Sequence, residues 1–226
     1  MNKHSRFNRN FIFTSVLVFT LLLYACSSEP IDENTYMKNA KEHYDIDYFL
    51  GAIEEYTKAL ELNPEMIEAY EYRGRSSHVL LRFEDAIKDF TKAISMDDKN
   101  DLYYELRSTS YLDLSMDFFG GRSENYYELA IADANKTLEL NPNNDEAYYN
   151  IGRVYLEMKK YEDAMAKFDK AIAINPAHGK AIEYKLMTNT LLNPVTDTDT
   201  GYEIDYSKLE SESDNKSKSN IISSNK

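Results

Sequence analysis

Few side chains in this sequence are suited to chemistry, and they stand apart. Cys26 is the single cysteine among 226 residues, which excludes an intramolecular disulfide and a thiolate zinc site. The four histidines, His4, His43, His78 and His178, are scattered, and no second ligand lies one helical turn from His78. The patterns HExxH, GxSxG, GxGxxG and GxxxxGK[ST] are absent, and seven glycines leave little for a phosphate-cradling loop. Acid pairs such as Glu54-Glu55 and Asp97-Asp98 read as solvated helix faces or ends, not as carboxylates in an apolar pocket. The chemistry left open is modification of one thiol and binding by surfaces. No catalysis, cofactor or metal is expected.

Charge narrows the partners. The formal net charge is −13, and residues 1–25 hold Lys3, Arg6 and Arg9 without a single acid, so the remainder carries −16. Such a surface repels phosphate backbones and argues against nucleic acid and against a polybasic membrane patch. The basic start leads into an apolar run, Phe11 to Leu23, too short for a membrane span of roughly 20 residues but suited to a secretory signal. The run ends in Leu23-Tyr24-Ala25-Cys26-Ser27-Ser28. This resembles the lipobox of bacterial lipoproteins, with Tyr24 departing from the usual small or β-branched residue. The resemblance implies cleavage after residue 25, a diacylglycerol on the Cys26 sulfur, and a tether over 26–32. Ser27 is compatible with outer-membrane sorting, which places the protein in the cell envelope on an unspecified side of that membrane.

The elements that must position a binding surface are repeated. Gly51-Ala52-Ile53, Asp85-Ala86-Ile87, Leu129-Ala130-Ile131 and Asp163-Ala164-Met165 recur at spacings of 34, 44 and 34. Tyr56, Phe90 and Phe168 follow their alanines by four residues, and a further alanine follows three later at 59, 93 and 171. Upstream of each block, Tyr36, Tyr70, Tyr104 and Tyr148 precede Ala40, Gly74, Ser108 and Gly152 by one helical turn. Two helices per 34 residues with these anchors resemble the tetratricopeptide repeat (TPR). The resemblance covers about two thirds of the chain and implies an all-α TPR solenoid, a right-handed superhelix of helix-turn-helix repeats. The repeats run over about 33–66, 67–100, 101–144 and 145–178 within a domain of 33–194. A helix over 180–193 caps the array, and the polar tail 195–226 is expected to be disordered.

Close packing explains the anchors. The small residues let paired helices approach, and the aromatics fill space toward the next repeat. Asn63-Pro64, Asn141-Pro142 and Asn175-Pro176 are expected to end one helix and open the next, with Asn in a left-handed turn and Pro at the first helical position. Repeat three departs most: Ala134 replaces an aromatic, Thr137 replaces an alanine, and ten extra residues enter around Ser115–Asn125. It is therefore expected to be the least stable unit. Phe118 and Phe119 in that insertion either tuck back over the repeat or contact a partner or a membrane.

In the resembled family, ligands lie along the first helix of each repeat, on the concave face. Carried over residue by residue, this implies a protein-binding groove of Lys38, Lys41, Tyr72, Arg75, His78, Tyr149, Asn150, Arg153 and Tyr184. Met37, Tyr44, Glu71, Glu105, Leu106, Thr109, Leu112, Leu156, Lys180, Glu183 and Met187 occupy related positions. The clamp by which chaperone-binding members hold a terminal carboxylate is not matched, since Met37, Lys41, Tyr72, Leu102 and Leu106 stand at its five positions. The resulting expectation is a membrane-anchored scaffold or adaptor that holds a peptide or helix of an envelope protein, with self-association open. The alternative is an accessory glycan- or nutrient-binding lipoprotein of an uptake system, using the tyrosines to stack on sugar rings.

Overall fold

The structure, a computed structural model, describes residues 32–116 and 124–193. The expected signal segment, Cys26, Phe118, Phe119 and the tail from 194 onward lie outside the described residues. The described residues form nine α-helices in two compact units, divided after Pro142. The first unit contains α1 (Glu33–Asp45), α2 (Phe49–Leu62), α3 (Ile67–Val79), α4 (Phe83–Met96), α5 (Asp101–Met116) and α6 (Glu124–Leu140). The second contains α7 (Asp145–Glu157), α8 (Tyr161–Ile174) and α9 (Gly179–Leu192). Within each unit, consecutive helices pack side by side as hairpins, α1 with α2, α3 with α4, α5 with α6 and α7 with α8.

Local chemistry sets the helix ends. The Asp32 carboxylate accepts the Thr35 N–H at 2.8 Å, and the Asn144 side chain accepts the Ala147 N–H at 2.9 Å. Glu84 and Asp85 open α4, and Glu162 and Asp163 open α8, where the helix dipole favours negative charge. The junctions between repeats differ from expectation. Asn63 and Asn175 are extended, with φ of −138° and −126°, rather than left-handed. Their side chains instead accept the N–H two residues on, from Glu65 and Ala177, each at 3.1 Å. Asp97 does the same for Lys99 at 3.1 Å, which explains why repeat two manages without proline. The prolines sit in the turn, ahead of the first helical residue. Left-handed residues occur inside the repeats, at Asp47, Leu81 and Lys159, with φ of 59°, 59° and 58°. There the chain reverses between the two helices of a hairpin within three residues.

The cores follow the small-residue pattern. Ala40, Ala52, Tyr56, Leu60 and Ala69 form one cluster in the first unit. Tyr149, Leu156, Ala164, Phe168, Ala171 and Ala181 form the core of the second. A Cβ placed on Gly74 would lie 2.7 Å from a Phe90 ring carbon, and one on Gly152 would lie 2.6 Å from Phe168. Phe90 and Phe168 thus pack against the glycine of their own repeat, and the aromatics also reach forward as expected, Tyr56 to Tyr72 and Phe168 to Tyr184, each with centroids 6.1 Å apart. In repeat three the buried Thr137 hydroxyl donates to the Asp133 carbonyl at 3.1 Å, so the departure from alanine buries no unsatisfied hydroxyl.

A repeated ionic clamp joins the helices of the first unit. The Arg73 guanidinium donates to both Asp89 oxygens, at 2.7 and 2.9 Å, and to the Thr57 hydroxyl at 3.1 Å. Thirty-four residues later in the sequence, Arg107 donates to both Asp133 oxygens, at 2.8 and 2.7 Å, and to Thr91 at 3.0 Å. Each arginine ties its own hairpin together and ties that hairpin to the one before. Burial works against the Arg73 charge, but the Asp89 bonds and the Asp89 charge outweigh it and hold the group above its ordinary pKa. In the second unit Lys185 stands at the matching place on α9 and pairs with Asp169 of α8 at 2.5 Å. So α9 occupies the first-helix position of a further repeat. It covers the Tyr149–Phe168 cluster through Ala181 and Tyr184 but leaves Leu186, Met187 and Leu191 exposed. A cap with a fully polar outer face would not do so.

Candidate functional site

In the first unit, α1, α3 and α5 run in the same direction, each the first helix of its hairpin. Their shared face holds a half-open cavity of about 180 Å³ lined by Tyr44, Arg75, His78, Phe90, Leu106 and Thr109, with Val79 at one end. The 34-residue period brings these side chains together, because equivalent positions of successive first helices stack on one face.

Tyr72 organises the rim. Its ring stands edge-on to Tyr44 with centroids 5.2 Å apart. Lys41 lies 5.6 Å from the ring centroid and Arg75 lies 5.8 Å from it. Each cation keeps an acid beside it: Lys41 bonds Glu68 at 3.4 Å, and Arg75 bonds Glu71 at 2.9 to 3.0 Å. The Glu68 bond and charge hold the Lys41 ammonium above its ordinary pKa. His78 meets Asp113 of α5 at 3.1 Å and contacts the Phe83 ring edge-on. With its cations matched by acids, the cavity offers an apolar floor with forked donors at the edge, and it suits a side chain flanked by a peptide backbone better than a free anion.

The structure thus gathers Lys41, Tyr72, Arg75 and His78 at one place. Lys38 points to solvent beside Glu42 at 3.8 Å. In the second unit the expectation needs correction. Asn150 is fully buried and Tyr149 is 3% exposed, so neither offers surface to a ligand. Leu112 and Leu156, at related positions, are buried too. Tyr149 is enclosed by the rings of Phe168, His178 and Tyr184, whose centroids lie 6.1, 4.9 and 5.5 Å away. Burial raises the Tyr149 phenol above its ordinary pKa. Arg153 and Tyr184 are half-buried, with the guanidinium 5.8 Å from the Tyr184 ring centroid and 5.6 Å from that of Tyr149. His178, too, is structural: its Nδ1 accepts the Ala181 N–H at 3.3 Å, which leaves Nε2, 3.3 Å from Glu146, as the protonated nitrogen.

Sequence reasoning missed Asp113, which the 35-residue separation from His78 sets one residue out of phase, and Phe90, which it assigns to packing alone. It also missed the clamp. The recurrence of Thr57 and Thr91, and of Arg73 and Arg107, at 34 residues was there to be read.

Among known proteins, the family model described as tetratricopeptide repeat matches residues 145–178. Tetratricopeptide repeat protein 6 of Homo sapiens is 27% identical over 168 residues, covering 62% of this chain and 32% of that protein. The chain spans a third or less of the length of the curated relatives it matches first. Among solved structures, MamA protein has a TM-score of 0.58 at 23% identity, over 69% of this chain and 80% of that one. A thermophilic TPR protein of Thermus thermophilus has a TM-score of 0.59 at 18% identity, over 71% of this chain and 83% of that one. These likenesses define the fold, an all-α array of helix-turn-helix repeats. Within it, residues 145–178 match the tetratricopeptide repeat, and the other hairpins are arranged in a TPR-like way.

Proposed function

We propose that this protein is a non-catalytic adaptor of the bacterial cell envelope, lipid-anchored through Cys26, that holds a peptide or helix of another envelope protein on the α1–α3–α5 face. Tetratricopeptide repeats bind peptide segments of partner proteins, and the observation that carries the reading here is the Tyr72-centred rim around the apolar cavity. Tyrosine and arginine are favoured anchors at such surfaces because they combine large rigid area with directional donors. The anchor rests on the sequence from Leu23 to Ser28, and the outer membrane is its proposed location.

Capture by cross-linking from native membranes tests the reading. Arg75→Glu with Lys41→Glu turns the charge-matched rim acidic while leaving Tyr72 and the core in place. Loss of a discrete envelope protein from the double variant, at an unchanged melting temperature, supports the groove. Equal capture by both forms removes the groove from the reading. Capture of soluble glycans with no protein partner moves the function to nutrient uptake.

A further inference from the structure

Among the described residues of the first unit, seven large apolar side chains are exposed, and five of them sit at two turns. Ile46 and Tyr48 lie in the α1–α2 connection with Leu50 in the first turn of α2, and Leu81 lies in the α3–α4 connection with Val79 at the end of α3. Because α1 and α3 run in parallel, both turns lie on the same edge, and Tyr44 and Val79 already line one cavity beside it. Ile46 and Leu81 are the most exposed, at 71% and 73%.

Leu81 is the telling residue. It adopts a left-handed backbone with φ of 59°, a conformation that disfavours a branched side chain and suits glycine or asparagine. Its side chain packs little, so neither conformation nor core explains a leucine there. A residue that costs the fold and contributes nothing to it points to a contact outside the molecule.

We infer that this edge rests in the surface of the bilayer to which the chain is anchored, an inference that rests on the lipid-anchor reading. Separate side chains at two neighbouring turns form no socket for a partner's knob, but Ile46 and Leu81 suit shallow insertion among acyl chains, with Tyr48 packed behind them against His43. The nearby acids Asp45, Asp47, Glu84 and Asp85 outnumber Arg82, which selects zwitterionic over anionic lipid. Reach permits it: the seven residues from Cys26 to Glu33 extend to about 25 Å, and the thirteen residues of α1 measure only about 20 Å. That length suffices to span α1. With the edge held down, the α1–α3–α5 face is fixed in orientation relative to the membrane.

The chain contains no tryptophan, so a single introduced one reports cleanly. Leu50→Trp on this edge, and Leu62→Trp at the opposite end of α2, would be placed in the lipidated protein. Each would be reconstituted in phosphatidylcholine vesicles carrying a shallow quencher lipid. Flotation first establishes that the protein is anchored. The expected result is quenching of the Leu50→Trp emission at least about twofold stronger than that of Leu62→Trp, falling to the same level when Ile46→Ser and Leu81→Gly are added. Leu81→Gly should at the same time raise the melting temperature, which a purely structural leucine would not allow. Flotation with equal quenching at both sites overturns the edge inference and leaves the anchor standing. Failure to float overturns the anchor and the inference with it.

Discussion

Arg73 and Asp89 show how one pair of side chains can hold two repeats. The Asp89 carboxylate is nearly buried and the guanidinium is mostly so, with both forks engaged and Thr57 satisfying a further donor. Removing one member strands the other charge in a poorly solvated seam. Arg73→Ala is therefore expected to cost about 3 kcal/mol, measured by urea unfolding. Replacing both members by apolar residues of similar volume is expected to cost far less. If the single and the double replacements cost the same, the pair is not the source of the effect. Arg107→Ala should behave alike, because its geometry with Asp133 and Thr91 repeats that of Arg73.

At the scale of the element, the hairpin turns set the next expectations. Leu81 and Lys159 hold a left-handed backbone that glycine adopts freely. Leu81→Gly is expected to stabilise the fold by up to about 1 kcal/mol, the relief of backbone strain exceeding the entropy that glycine returns to the unfolded chain. A fall in melting temperature would show that the leucine side chain contributes packing after all. Repeat three gives a second expectation. Its long connection between α5 and α6 raises the entropy cost of closing the hairpin, though only slowly with length. Its amides should exchange faster than those of α7 and α8, and equal protection would refute its relative weakness. The satisfied Thr137 hydroxyl and the Arg107 clamp limit the difference to a modest one.

At the scale of the whole molecule, two compact units share one repeat logic. Much of that logic was legible in the sequence because a 34-residue period repeats the same packing problem and the same small and aromatic residues solve it. Ala52, Ala86, Ala130 and Ala164 are all buried, as are Tyr56, Phe90 and Phe168. The candidate site was legible only in part. Family positions place a residue on a helix face, but they do not say how far neighbouring helices close over it. That is why Tyr149 and Asn150 are buried while Tyr72 and Arg75 keep surface. The turn chemistry was misassigned because Asn before Pro fits two local solutions. The extended asparagine with a side-chain cap won over the left-handed one, since the reversal that needs positive φ lies inside the repeat, at Asp47, Leu81 and Lys159.

The central claim is that the face formed by α1, α3 and α5 holds a partner peptide. Site-specific photocrosslinking in intact cells tests it most directly, with the reactive side chain placed at Lys41 or Thr109 on that face and at Glu54 or Lys88 on the second helices. A groove-bound peptide predicts one discrete adduct from Lys41 and Thr109 and none from Glu54 or Lys88. Adducts from Glu54 and Lys88 alone, with Lys41 and Thr109 silent, would contradict it.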